Sequence, residues 1–112
     1  KIKKLKMIDL DNLQKEIYQN KLDKGFDASD SRENIYRTFC HIHGEVAEAF
    51  DAYYKGLDNF NEELADICIY ILGLCEIKGI SLEQEILKKL DKNKKRTYEK
   101  VNGVLVKGKG VK

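Results

Sequence analysis

Two pairs of carboxylates stand three residues apart: Glu45 with Glu48, and Glu63 with Asp66. On a helix, that spacing sends both side chains of a pair from neighbouring points of one face. Like charges so placed weaken a bare helix by roughly 0.2–0.5 kcal/mol. The offsetting partner is either water on an open surface or a divalent cation. Hard carboxylate oxygens suit Mg²⁺ or Mn²⁺, and Mg²⁺ usually keeps waters and is shared with substrate phosphates.

The helical wheel separates the two pairs. At about 100° per residue, Ile35, Phe39, Ile42, Val46, Ala49, Phe50 and Tyr53 form an apolar seam centred on Val46. Glu45 and Glu48 then fall on the far flank with Asn34, Thr38, His41 and Ala52, where solvent alone would satisfy them. Glu63 and Asp66 differ, because they share a face with Ile67, Tyr70, Gly73, Leu74 and Ile77. Two acids opening an apolar stripe are costly unless partnered, which favours coordination. Tyr70, one turn beyond Asp66, is placed to lie against a base or ribose; without the acids it would read as a core tyrosine. Lys89, Asn93 and Arg96 follow at four- and three-residue spacing. Cations are common near helix C-termini for dipole reasons; the functional reading is a phosphate clamp.

Four helices must position these groups. The spacing predicts a first helix over residues 9–21 on Leu10, Leu13 and Ile17, then a loop over 23–32 with an exposed aromatic, Phe26. A second helix is expected over 33–54, with Gly56 as its stop. Asn61 reads as the cap of a third helix over 62–78, ended by Gly79. Ser81, with Gln84 three residues on, reads as a capping box for a fourth helix reaching residue 99 on Leu82, Ile86, Leu87 and Leu90. Asn102-Gly103 suggests a small hairpin in the tail. The expected fold is all-α, a bundle of four main helices, with a helical domain over 1–99 and a basic tail over 100–112. The third helix is apolar on all sides, so a second copy of the chain is expected to cover part of it, giving a homodimer or homotetramer.

Composition bounds the rest. The chain has 112 residues, 42% hydrophobic and 36% charged, with no Pro, which fits one folded domain. The stretch 67–75, bounded by Asp66 and Glu76, is too short to cross a bilayer, and no long apolar run follows the basic start, so neither a membrane span nor a secretory signal is expected. Three cysteines argue against a disulfide scaffold. Cys68 and Cys75, seven residues apart on one helix, would be about 10 Å apart, so buried reduced thiols and a cytoplasmic protein are expected. The net charge of +2 hides an asymmetry: −10 over residues 7–87 and +8 over 88–112. That is no footprint for duplex nucleic acid, but it suits carboxylates holding a cation while Lys and Arg hold phosphates. Cys40, His41 and His43 lack zinc-ligand spacing, and neither acidic pair supplies the Glu-x-x-His of a di-iron bundle.

Glu45-Val46-Ala47-Glu48, then Glu62-Glu63-Leu64-Ala65-Asp66 with Ile69-Tyr70, then Lys89, Asn93 and Arg96-Thr97-Tyr98, together resemble the MazG-type all-α NTP pyrophosphohydrolases. The resemblance spans roughly residues 10–98, and the ordered set on three successive helices is more specific than any one motif. It implies hydrolysis of nucleoside triphosphates between the α- and β-phosphates, giving the monophosphate and pyrophosphate. It also implies Glu45, Glu48, Glu63 and Asp66 as Mg²⁺ ligands and catalytic centre, Tyr70 against the nucleotide, Lys89, Asn93 and Arg96 near the phosphates, and Gln14 near the substrate. Several members stack a Trp on the base; here Phe26, Tyr53 or Tyr54 would substitute. Phosphoribosyl-ATP pyrophosphohydrolase shares the fold and chemistry. A non-catalytic nucleotide-binding or dimerisation module is the alternative outside catalysis.

Overall fold

The computed structural model describes residues 7–108. The basic stretch 1–6 and the end of the 100–112 tail lie outside them. Among the described residues the chain forms four helices, α1 (Leu10–Asp23), α2 (Arg32–Lys55), α3 (Phe60–Ile77) and α4 (Leu82–Lys94), and one antiparallel hairpin, β1 (Tyr98–Val101) and β2 (Val104–Lys107). The fold is all-α apart from that hairpin. No helix of the described residues is long and apolar enough to cross a membrane. Two compact units divide the chain, the first reaching Leu82 and the second starting at Glu83.

In the first unit α3 packs against both α1 and α2. Local chemistry sets the helix ends. Asp9 caps α1 by accepting from the amides of Asp11 and Asn12, and Ser31 caps α2 by accepting from Asn34 N. Gly56 (φ 68°) and Gly79 (φ 69°) take the left-handed turn that ends α2 and α3, where Leu57 N donates to Ala52 O and Ile80 N to Cys75 O. The loop between α1 and α2 is tied down at three points: Asn34 Nδ2 donates to Ser29 O, Lys78 pairs with Asp30 at 3.1 Å, and Arg37 faces Asp27 at 3.7 Å.

Gln14 is the pin of this unit. It is 2% exposed. Its Nε2 donates to Glu76 Oε1 and to Ile80 O, and its Oε1 accepts from Leu82 N. One side chain of α1 thus fixes the end of α3 and the turn that follows. Ser81 Oγ, donating to Asp11 Oδ1 at 2.7 Å, adds a second tie.

Several expectations are corrected. The third helix starts at Phe60, with Asn59 rather than Asn61 at its cap position. The fourth helix stops at Lys94 instead of reaching residue 99, because residues 98–107 pair as a hairpin. Its turn is Asn102-Gly103, both at positive φ as a tight two-residue turn requires. Of the three thiols only Cys75 is buried, and burial pushes its pKa up; Cys40 and Cys68 are exposed. The largest correction concerns α2. The buried residues are Asn34, Thr38, Ala49 and Ala52, so much of the polar flank turns inward. Of the expected seam, Phe39, Val46, Phe50 and Tyr53 are exposed in this chain, Phe50 at 66% and Tyr53 at 70%, while Ala49 is buried and Ile35 and Ile42 are half-buried. Small and hydrogen-bonded residues let α2 approach α3 closely, and the bulky seam is left for another surface.

Replacing Gln14 by Ala strands a buried amide and carbonyl at once. Gln14→Ala should cost about 2 kcal/mol in urea unfolding; a loss under about 0.5 kcal/mol would show that Gln14 does not pin the unit.

Candidate functional site

The inward turn of the α2 flank brings Glu45 over the start of α3. One carboxylate oxygen from each of Glu45, Glu48 and Glu63 lies within 4.8 Å of the others. Asp66, one turn on from Glu63, lies against the same group and adds its charge to both Glu45 and Glu63. Asn59 Nδ2 donates to Glu63 Oε2 at 3.1 Å and holds that carboxylate from the preceding turn. Among the described residues no Lys or Arg pairs with any of the four acids.

The electrostatics follow from that geometry. Partial burial, then the charges of Glu48 and Asp66, push the Glu45 carboxyl above its ordinary range. Burial, then Glu48, Glu45 and Asp66, do the same to Glu63. Tyr70 is raised by burial first, then by Glu45, Asp66 and Glu48. The donor set fits a small hard cation: two oxygens on opposite sides of a Mg²⁺ lie about 4.2 Å apart, so a slight closing of the cluster accommodates one.

Beside the acids is a cavity of about 520 Å³, in the range of small-molecule sites. Asp66 and Tyr70 belong to its lining, so the acid cluster and the cavity share a wall. The opposite sides come from Asn20 and Lys21 of α1, Phe26 of the loop, and Asn34, Arg37, Thr38 and His41 of α2. The His41 ring stacks on Tyr70 with centroids 5.4 Å apart and planes 12° from parallel. Asp27 at the rim is held below its usual range, chiefly by hydrogen bonds from Ser29 and then by Arg37.

The structure thus brings Glu45, Glu48, Glu63, Asp66 and Tyr70 together. Gln14 is not among the cavity residues; its amide is engaged in the frame. In the second unit Lys89 and Asn93 lie on α4, and Arg96 follows it, its amide donating to Asn93 O. Arg96 first, then burial, Lys92 and Lys107, hold Lys89 below its usual range, so these cations are mutual neighbours. Reading by residue type gives Asn59, Asn34 and Thr38 no role and weighs His41 only as a zinc ligand. A signal existed: Asn34, Thr38, His41 and Glu45 recur at four- and three-residue intervals, a polar line running upstream from the acids.

The frame is all-α and gathers two offset carboxylate pairs beside a cavity of small-molecule size. Residues 33–100, more than half of the chain, match the MazG nucleotide pyrophosphohydrolase domain, and the chain belongs to that family. The family is one of hydrolases acting on nucleotides. No curated protein and no solved structure matches the chain significantly.

Repulsion among the acids gives a testable sign. A carboxyl raised in the folded state contributes stability that is complete below its unfolded pKa and is lost as pH rises through the folded value. Glu45→Gln should therefore raise the Tm of protein held in EDTA at pH 7.5, and by less at pH 5. Scanning calorimetry checks this; a lower Tm at pH 7.5 would mean that Glu45 is stabilised where it stands.

Proposed function

We propose that the chain is a Mg²⁺-dependent nucleoside triphosphate pyrophosphohydrolase that cleaves between the α- and β-phosphates, releasing NMP or dNMP and pyrophosphate. The observation that carries this reading is the meeting of Glu45, Glu48 and Glu63 within 4.8 Å, with Asp66 common to the cluster and the cavity. Four uncompensated carboxylates need a cation, and a cavity beside them suits the rest of a nucleotide.

Glu45, Glu48, Glu63 and Asp66 would hold the ion, Mg²⁺ or Mn²⁺. Bound there, it supplies neutralisation of the triphosphate and acidification of water. The chain's own groups do the rest. Asn59 steadies Glu63. A carboxylate of the cluster accepts the proton of the attacking water. Tyr70, braced by His41, lies against the nucleoside, and Phe26, which lines the cavity where Tyr53 and Tyr54 do not, takes the role of base-stacking aromatic. Lys89, Asn93 and Arg96 are the proposed phosphate contacts; adjacent cations such as Lys89 and Arg96 stabilise the charge developing on the leaving pyrophosphate. The reaction belongs to the cytoplasm, where exposed thiols such as Cys40 and Cys68 stay reduced.

The same reading makes the protein a homodimer or homotetramer. Phe39, Val46, Phe50 and Tyr53 form an exposed stripe on α2, extended by Tyr54 against Phe50 and Phe60 against Tyr53. A stripe of that breadth on a soluble chain marks an association surface.

Purified protein with Mg²⁺ and a panel of NTPs and dNTPs should release pyrophosphate. Asp66→Asn should keep its helix content by circular dichroism and lose at least about 100-fold in kcat; full activity would remove the acid cluster from the reaction. Phe50→Glu should convert the oligomer to monomer in light scattering. A wild-type chain that is already monomeric would refute the association surface.

A further inference from the structure

The cavity has a polar floor that hydrolysis does not use. Asn34 and Thr38 stand one turn apart on α2 and line it, at 4% and 3% exposure. The Asn34 amide is fixed in orientation: Nδ2 donates to Ser29 O at 2.8 Å, so Oδ1 points the other way. Among the described residues no donor reaches Oδ1. No side-chain oxygen of the described residues is both sealed from solvent and unpartnered, so Oδ1 has an open side, and the cavity is the space Asn34 lines. Thr38 Oγ1 donates its hydrogen to the Asn34 backbone carbonyl at 2.7 Å, which leaves its lone pairs as acceptors. The floor therefore presents two acceptors, with the second Nδ2 hydrogen of Asn34 as a donor beside them.

We infer that Asn34 and Thr38 select a nucleotide whose base carries its amino group at pyrimidine C4 or purine C6, cytosine or adenine, over its oxo counterpart. The inference rests on the hydrolase reading and deepens it. An amino group carries two hydrogens, one for each acceptor. Two acceptors bonded to one amino nitrogen at about 2.9 Å, on N–H directions 120° apart, lie about 5 Å from each other. Side chains one helical turn apart have that spacing, with Cβ atoms about 5–6 Å apart. An oxo group in the same place, as on uracil, thymine or hypoxanthine, sets lone pairs against lone pairs and leaves both acceptors unpartnered, the arrangement that gives the sharpest rejection. Donors stand at other parts of the lining, on Asn20, Lys21 and Arg37, and Arg37 is shared with Asp27. They suit the base's carbonyl or ring nitrogens rather than its amino group.

The test compares two pairs that differ at that group: dCTP with dUTP, and ATP with ITP. Values of kcat/KM with Mg²⁺ are measured for wild type, Thr38→Val, Thr38→Ser and Asn34→Ala, with Tm recorded for each. Wild type should favour the amino member of each pair by about tenfold or more. Thr38→Val, nearly isosteric, should shrink both ratios severalfold, mainly through KM, and Thr38→Ser should restore them. Asn34→Ala should shrink them too. Equal or inverted wild-type ratios, or ratios untouched in a folded Thr38→Val, would overturn the assignment. If no nucleotide is hydrolysed, the hydrolase reading fails by itself. Calorimetric binding of the same four nucleotides then decides the floor's role: tighter amino members support it, and equal affinities or no binding overturn it.

Discussion

Mutual repulsion of four carboxylates is the constraint around which the first unit is arranged. Glu45 and Glu48 come from α2, Glu63 and Asp66 from α3, and no cation of the described chain answers them. A fold seeking only stability would spread such charges over its surface. Here the contact between α2 and α3 forces them together and partly out of water, which lifts the pKa of Glu45 and of Glu63. Asn59 holds Glu63 in the cluster by donating its amide to Oε2. Site and interhelical contact are thus one feature: the surface that joins the helices also gathers the charge.

The way α2 faces follows from that requirement. A helix with a broad apolar seam normally turns it inward. This one turns in Asn34, Thr38, Ala49 and Ala52, whose side chains are small or already hydrogen-bonded. Two consequences follow together. The polar line reaches α3 and becomes cavity wall and acid cluster. The aromatic residues Phe39, Phe50 and Tyr53 stay exposed. The apolar core is correspondingly thin: among the described residues the buried apolar ones are Ala49, Ala52, Leu72 and Cys75.

Rigid ties hold the thin core in register. Gln14 joins α1 to the turn after α3 by three hydrogen bonds, and the Asp27–Asp30 loop is fixed by Arg37, Asn34 and Lys78. These polar contacts hold the walls of the cavity where hydrophobic packing is sparse.

Sequence alone determined the helices, their order and the acids. αL glycines and three-and-four spacing are local, so the helix stops at Gly56 and Gly79 are legible without a partner in view. The ordered acidic pairs likewise carried the family. Which face of α2 is inside was decided only by the tertiary structure, because a wheel ranks faces by hydrophobicity and cannot know whether a bulky seam is kept for another chain. The end of α4 was misjudged for a related reason: residues 95–99 continue a plausible helical pattern, and their pairing with residues 104–107 is a contact beyond the local window. The cavity, the stacking of His41 on Tyr70 and the free acceptor on Asn34 arise from the meeting of α1, α2, α3 and a loop, and no one segment contains them.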